Sequence, residues 1–264
     1  MRSGLRPFLH RGLSMTIFLT SSPTGPLDNS RPVNGVDHKN RFIENLRRHW
    51  KWGMRCLMIS AAPADDDFND SVQKSMWESF HRGSLPITVF DTWDDRTADL
   101  SKDTLHSYDV ILMGGGHVPT QNAFMRRIGL KEKLKSYDGV MIGISAGTMN
   151  CAGEVYAFPE RAGESVDPGY RRFLPGLGLT HVNICPHYQM VKDWILDGVR
   201  LYEDIAYPDS RGREFLVIPD GSYVVVEKGV HTLWGEGYRL ADGVLTPICA
   251  EDETLMLGKT TLLA

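Results

Sequence analysis

The sequence reads as an α/β protein: a mostly parallel, doubly wound sheet flanked by helices, with antiparallel hairpins added toward the C-terminus. Three observations predict this. Short runs rich in Ile, Leu, Val and Met recur at Ile17–Leu19, Arg55–Ser60, Ile87–Phe90, Asp109–Met113 and Val140–Ile144. Between several of them lie stretches with helical apolar spacing, Arg41–Trp52, Phe68–Arg82 and Asn122–Ser136. Continuously apolar strands separated by helices indicate βαβ units, whose parallel sheet is covered on both faces. After about residue 180 the rhythm changes. His181–Cys185 and Phe215–Ile218 are strand-like, and Tyr223–Glu227, Val230–Trp234, Tyr238–Leu240 and Val244–Ile248 follow with only short Gly-containing turns between them. Strands at that spacing form hairpins or a meander that finishes the sheet.

The 264 residues are read as one α/β domain over 15–264, preceded by a disordered tail or upstream start over 1–14, where Arg2, Arg6 and Arg11 stand without an acid and Met15 directly precedes the first strand. With 42% hydrophobic and 23% charged residues the chain is globular in composition, which excludes a disordered chain, a collagen-like fibre and a coiled coil. A net charge of −4 gives no basic field for nucleic acid or anionic lipid. No apolar run approaches the ~18–20 residues of a membrane span. Four scattered cysteines, Cys56, Cys151, Cys185 and Cys249, with no CxxC pair, point to a reduced, cytoplasmic protein without disulfides or structural zinc. No metal or cofactor is expected. The sequence leaves the oligomeric state open, a homodimer included.

The sharpest local feature is Gly143-Ile144-Ser145-Ala146-Gly147, a G-x-S-x-G pattern between an apolar strand and the helix-compatible Thr148–Ala152. A strand-to-helix turn this tight strains its central residue and needs small neighbours; it lifts a serine oxygen off the sheet and aims the following N–H groups at one point. Those donors can hold the oxyanion that forms when the serine attacks a carbonyl. The bland alternative is a glycine-rich turn with an incidental serine. A base must deprotonate the hydroxyl. Of nine histidines, His187 stands out, because Asn183–His187 places it just past a strand and a stiffening proline, where sites of open sheets assemble. His181, inside the strand pattern, is expected to pack. Asp220 repeats the arrangement in Phe215–Gly221, strand, proline and carboxylate, although Asp-Gly is also a common turn pair. Gly114-Gly115-Gly116 follows another strand and lacks the pattern of a phosphate or dinucleotide loop. Gly115 or Gly116 is therefore read as a second oxyanion donor beside the Ala146 N–H.

Together these pieces resemble the dipeptidase E (aspartyl dipeptidase) family of serine peptidases, whose fold is similar to class I glutamine amidotransferases with serine replacing cysteine at the elbow. The matching segments are Thr16–Ser22, Gly114–Gly116, Gly143–Gly147, Pro186-His187 and Pro219-Asp220-Gly221, so the resemblance spans Thr16 to about Lys228. It implies a Ser145–His187–Asp220 triad and small peptide substrates, often dipeptides with N-terminal aspartate. Two departures stand out: His117 follows the glycines where the family often has Asn, and Asp220 replaces the Glu of the best-known members. The chain order serine, histidine, acid differs from that of α/β-hydrolases. Candidates for substrate contacts are His117, Gln121, Arg171, Arg172 and Tyr188, with Arg200 and Arg213 further arginines between the catalytic segments. The alternatives are a cyanophycin-type peptidase on the same scaffold, a ligand-binding or regulatory module without turnover, and an amidotransferase. The last is disfavoured because the nearest thiol, Cys151, is off the elbow.

Overall fold

The computed structural model of the chain describes residues 15–24 and 35–259, so the tail expected at 1–14 lies outside the described residues. The five apolar runs form β1 (Thr16–Thr20), β2 (Met54–Ile59), β3 (Ile87–Trp93), β4 (Val110–Met113) and β5 (Val140–Ile144). These pair in parallel as β1 with β5, β5 with β4, β4 with β2, and β2 with β3. Their continuous apolarity follows from burial on both faces. Ile17, Leu19, Ile111, Met113 and Met141 pack into one core, whereas Phe18, Val110, Leu112, Val140 and Ile142 face the opposite one. Successive residues of a strand thus supply both layers.

The helices are α1 (Phe42–Arg47), α2 (Asp66–Arg82), α3 (Lys102–His106), α4 (Val118–Arg127), α5 (Leu130–Lys133) and α6 (Ala146–Asn150). Asp65 starts α2 by accepting the Phe68 N–H at 3.0 Å, and Ser101 does the same for α3 from the Thr104 N–H at 3.1 Å. Such caps contribute about 1 kcal/mol each. The helix expected over Asn122–Ser136 begins earlier, at Val118, because Pro119 suits a first turn. It breaks where Gly129 adopts φ 63°, a conformation that ends a helix.

The second half departs from the expected single sheet. It comprises β6 (Glu154–Tyr156), β7 (Phe173–Pro175), β8 (Ile184–Cys185), α7 (Tyr188–Val191), β9 (Ile195–Leu196) and β10 (Val199–Arg200). A π-helical segment, Leu201–Ala206, then leads into α8 (Tyr207–Asp209). The closing strands are β11 (Glu214–Val217), β12 (Tyr223–Glu227), β13 (Val230–Trp234), β14 (Gly237–Ala241), β15 (Val244–Cys249) and β16 (Thr254–Lys259). Of these, β12, β13 and β16 extend the main sheet, whose order is β16-β13-β12-β1-β5-β4-β2-β3. Four strands form a separate sheet, β15-β14-β11-β8. The meander divides because Phe215, Val217, Leu240 and Cys185 bury against Tyr156, Leu201, Tyr202 and Ile205, a core of their own. Within this second sheet β8 and β11 run parallel, with Cys185 opposite Val217.

Candidate active site

The turn after β5 has the backbone its sequence predicts. Ser145 sits at φ 49°, ψ −109°, a sparsely populated conformation costing about 1–3 kcal/mol that persists only where the surroundings impose it. The surroundings here are identifiable. The Ser145 N–H donates to the Thr20 carbonyl at 3.1 Å, the Thr148 hydroxyl donates to the same carbonyl at 2.7 Å, and the Thr20 hydroxyl donates to the Gly143 carbonyl at 2.7 Å. Both glycines are sterically required. A Cβ on Gly143 would lie 2.8 Å from the Thr148 Cα, and one on Gly147 would lie 2.2 Å from the Met113 carbonyl oxygen. Ser145 is partly exposed, whereas Ala146, which opens α6, is fully buried. As the first residue of a helix, Ala146 has no carbonyl one turn back for its N–H.

The glycine loop lies beside this turn. A Cβ on Gly115 would stand 3.6 Å from the Ser145 Cβ, and one on Gly116 (φ 151°) would meet the Ala61 Cβ at 2.9 Å. Bare backbone is what lets the loop fit between Ala61 and the serine. Among the described residues, neither the Gly115 nor the Gly116 N–H donates to a backbone carbonyl. The loop is held from below by Gln121, whose amide nitrogen donates to the Gly114 carbonyl at 2.8 Å. The Gln121 amide oxygen accepts from Asn150 at 3.1 Å, and Asn122 donates to Asn150 at 3.0 Å. All three amides are buried, so this network ties α4 to α6.

The histidine and the acid come from the second sheet, not from the main one. Because β8 and β11 are parallel neighbours, His187 and Asp220 emerge at the same end. The His187 Nδ1 lies 2.7 Å from the Asp220 Oδ1. Asp220 is 4% exposed. Burial alone would raise its pKa, but the hydrogen bond and charge of His187, with hydrogen bonds from Ser21 and Gln189, outweigh it and hold the carboxyl below its ordinary range. An ionised Asp220 fixes the proton on Nδ1 and leaves Nε2 as the accepting nitrogen. His187 itself adopts φ 58°.

The two sheets meet at the end of β1. Thr20 anchors the elbow, and the next residue, Ser21, reaches the histidine–aspartate pair: its hydroxyl donates to Asp220 Oδ1 at 2.5 Å and accepts the His187 backbone N–H at 2.8 Å. Ser145, the glycine loop, His187 and Asp220 thus follow the C-terminal ends of β5, β4, β8 and β11, and Thr20-Ser21 joins the elbow to the histidine–aspartate pair. Among the described residues the Ser145 hydroxyl makes no hydrogen bond to His187. The sequence reading did not single out Ser21, Gln189, Thr148 or Asn150. A serine after a strand carries no pattern, and these roles exist only through long-range contacts.

The expected substrate contacts divide. His117 lies at the start of α4, its ring between the Thr120 hydroxyl at 2.7 Å and Glu164 Oε1 at 2.9 Å. Burial lowers its pKa and Glu164 partly offsets this. Glu160, close to Glu164, is pushed up to about 8 by burial and by the Glu164 charge. Tyr188 follows His187 with its ring partly exposed, against Tyr202 and Tyr238. Gln121 is fully buried and its amide is engaged by the glycine loop, so it supports the site from beneath rather than facing a substrate. Arg172 is taken by Asp209, with Nε 2.5 Å from the carboxylate. Arg200 pairs with Asp204 at 2.6 Å, and Arg213 with Glu154 at 3.4 Å. Arg171 is exposed, with no acid partner among the described residues. His181, expected to pack within a strand, is instead exposed and precedes β8, with its ring edge-on to that of His231, centroids 4.5 Å apart.

Cys151 lies under the elbow, its thiol donating to the Gly147 carbonyl at 3.1 Å. Burial pushes its pKa up to about 12, and with no exposed surface the thiol is out of reach of a substrate, which disfavours the amidotransferase alternative. All four cysteines are free and buried. Among the described residues no cluster of three or more His, Cys, Asp or Glu is placed to hold a metal ion, and no helix is long and apolar enough to cross a membrane.

Comparison with known proteins bears on the fold and the family. The family model of peptidase family S51 matches residues 39–233, most of the chain. No curated protein matches it. Among solved structures, a peptidase from an acI-B1 actinobacterium superimposes with a TM-score of 0.62 at 14% identity, covering 93% of this chain and 98% of that one. A Listeria monocytogenes EGD-e protein designated a peptidase E superimposes with a TM-score of 0.52 at 15% identity, covering 81% and 95%. Identities this low speak to the fold; the family match speaks to the chemistry, and by it the chain belongs to peptidase family S51, the dipeptidase E family, and is a serine-type peptidase.

Proposed function

We propose that the chain hydrolyses small peptides, dipeptides with N-terminal aspartate among them, through an acyl-enzyme formed on Ser145. The observation that carries the reading is the pairing of His187 with a buried, ionised Asp220 beside a strained serine turn, all tied to the end of β1. His187 Nε2 takes the Ser145 hydroxyl proton as Oγ bonds to the peptide carbon, and the carbonyl electron pair moves onto oxygen. The Ala146 N–H and that of Gly115 or Gly116 receive the oxyanion; each such donor is worth about 3–4 kcal/mol of barrier. Collapse of the intermediate breaks the C–N bond, and the proton on Nε2 passes to the leaving amine. Water then repeats the sequence on the acyl-enzyme. Of Arg171, Arg172, Arg200 and Arg213, Arg171 alone has no acid partner among the described residues, which leaves it as the candidate of that set for a substrate carboxylate.

A serine-directed phosphonate is expected to label wild-type protein at Ser145 and to leave Ser145→Ala unlabelled and inactive. Turnover of purified Ser145→Ala near the wild-type rate would end this reading. A panel of Asp-X, Glu-X and neutral dipeptides, with an aspartyl-linked polymer as a further arm, assigns the substrate; a folded protein that neither labels nor turns over would instead be a binding module.

A further inference from the structure

Ser21 takes no part in the acyl-transfer steps above, yet it is fully buried and touches both partners of the proposed charge pair. Its oxygen accepts the His187 backbone N–H at 2.8 Å, which orients the hydroxyl hydrogen toward Asp220 Oδ1 at 2.5 Å. The same oxygen is 3.2 Å from the His187 ring Nδ1. His187 holds a left-handed backbone conformation, φ 58° and ψ 30°, uncommon for a non-glycine residue. Ser21 directly follows Thr20, the acceptor for the Ser145 N–H. One dipeptide at the end of β1 therefore touches nucleophile, base and acid.

We propose that Ser21 is a positioning residue of the catalytic apparatus, fixing the His187 backbone and the Asp220 carboxylate together so that the imidazole is held toward Ser145. The inference rests on the proposed Ser145–His187–Asp220 reading. It assigns Ser21 no contact with substrate. Its hydroxyl restrains two groups that arrive from strands of a different sheet, and the covalent path through Thr20 transmits the elbow's position to them.

The test is a set of Ser21 variants in the full-length chain, read by kcat, KM, the pH profile of kcat/KM and the rate of phosphonate labelling at Ser145. Ser21→Ala removes the acceptor for the His187 N–H and the donor to Asp220. It is expected to lower kcat and the labelling rate about 10- to 100-fold, the effect of leaving one buried polar group unpaired. KM should stay within about threefold, and the acid limb of the pH profile should move. Ser21→Thr, which keeps the hydroxyl, is expected to restore most of the rate. Ser21→Cys, similar in size but a weak donor, is expected not to, and this contrast decides the matter should Ser21→Ala fold poorly. In an Asp220→Asn background the Ser21→Ala penalty on labelling should shrink, since residues acting through one another are non-additive. Wild-type kcat and an unmoved pH profile in Ser21→Ala would overturn the inference. So would equal rates for the Thr and Cys variants, or an undiminished penalty in the Asp220→Asn background. An active Ser145→Ala would instead overturn the triad reading on which it rests.

Discussion

Gly147→Ala is the substitution whose consequence follows most directly from the structure. A Cβ there would lie 2.2 Å from the Met113 carbonyl oxygen and 2.6 Å from both the Met113 carbonyl carbon and its Cβ. Ordinary contact begins near 3.4 Å, so α6 and β4 must part by roughly 1 Å, and both are buried elements that cannot yield freely. Overpacking of this kind costs about 1–3 kcal/mol, or a fall in Tm of about 4–8 °C for 2 kcal/mol in a chain of this size. Moving the elbow by that amount should also cost on the order of 100-fold in kcat/KM. Gly153→Ala is the control. The nearest atom to its added Cβ is the Gly178 Cα at 3.9 Å, so stability should stay within about 0.5 kcal/mol and activity should hold. Thermal melts and dipeptide hydrolysis on both variants check this. A Gly147→Ala protein with wild-type Tm and turnover, or a Gly153→Ala protein as damaged as Gly147→Ala, would refute the steric account of the elbow.

Two further perturbations probe the shell around the site. Gln121→Leu keeps the bulk but strands the Gly114 carbonyl and removes one of the two acceptors of the Asn150 amide nitrogen, which keeps the Val118 carbonyl; about 1–3 kcal/mol of stability should be lost, seen as a lower urea midpoint at unchanged slope, and a midpoint within error of wild type would contradict the network. Glu160 has a raised pKa of about 8 against an ordinary 4.5, so between those values the folded chain holds a proton the unfolded chain has released, and stability falls as pH rises through the window. Glu160→Gln cannot ionise, so its Tm advantage over wild type should grow from pH 4.5 to pH 9, and parallel Tm–pH curves for the two proteins would rule this out.

Much of the architecture was written locally. The apolar runs of β1 to β5 carry their own strand assignment because a strand buried on both faces has no polar position to interrupt it. Gly143 and Gly147 announce the elbow because no other residue fits there. His187 and Asp220 were legible as polar residues closing apolar strands behind prolines. The substrate candidates were far less so: the sequence shows that Gln121 and Arg172 are polar and near the right segments, but not that one is buried beneath the glycine loop and the other bound to Asp209.

The sequence by itself therefore determined the βαβ core, the serine turn and the identity of the polar groups at the strand ends, since each depends on local periodicity or on steric limits at a single residue. Only the tertiary structure decided that the late strands divide between two sheets, that His187 and Asp220 arrive together from the second, and that Ser21 links them to the elbow. Such pairings join positions far apart in the chain, and their energies depend on distances and burial that appear only once the chain has closed on itself.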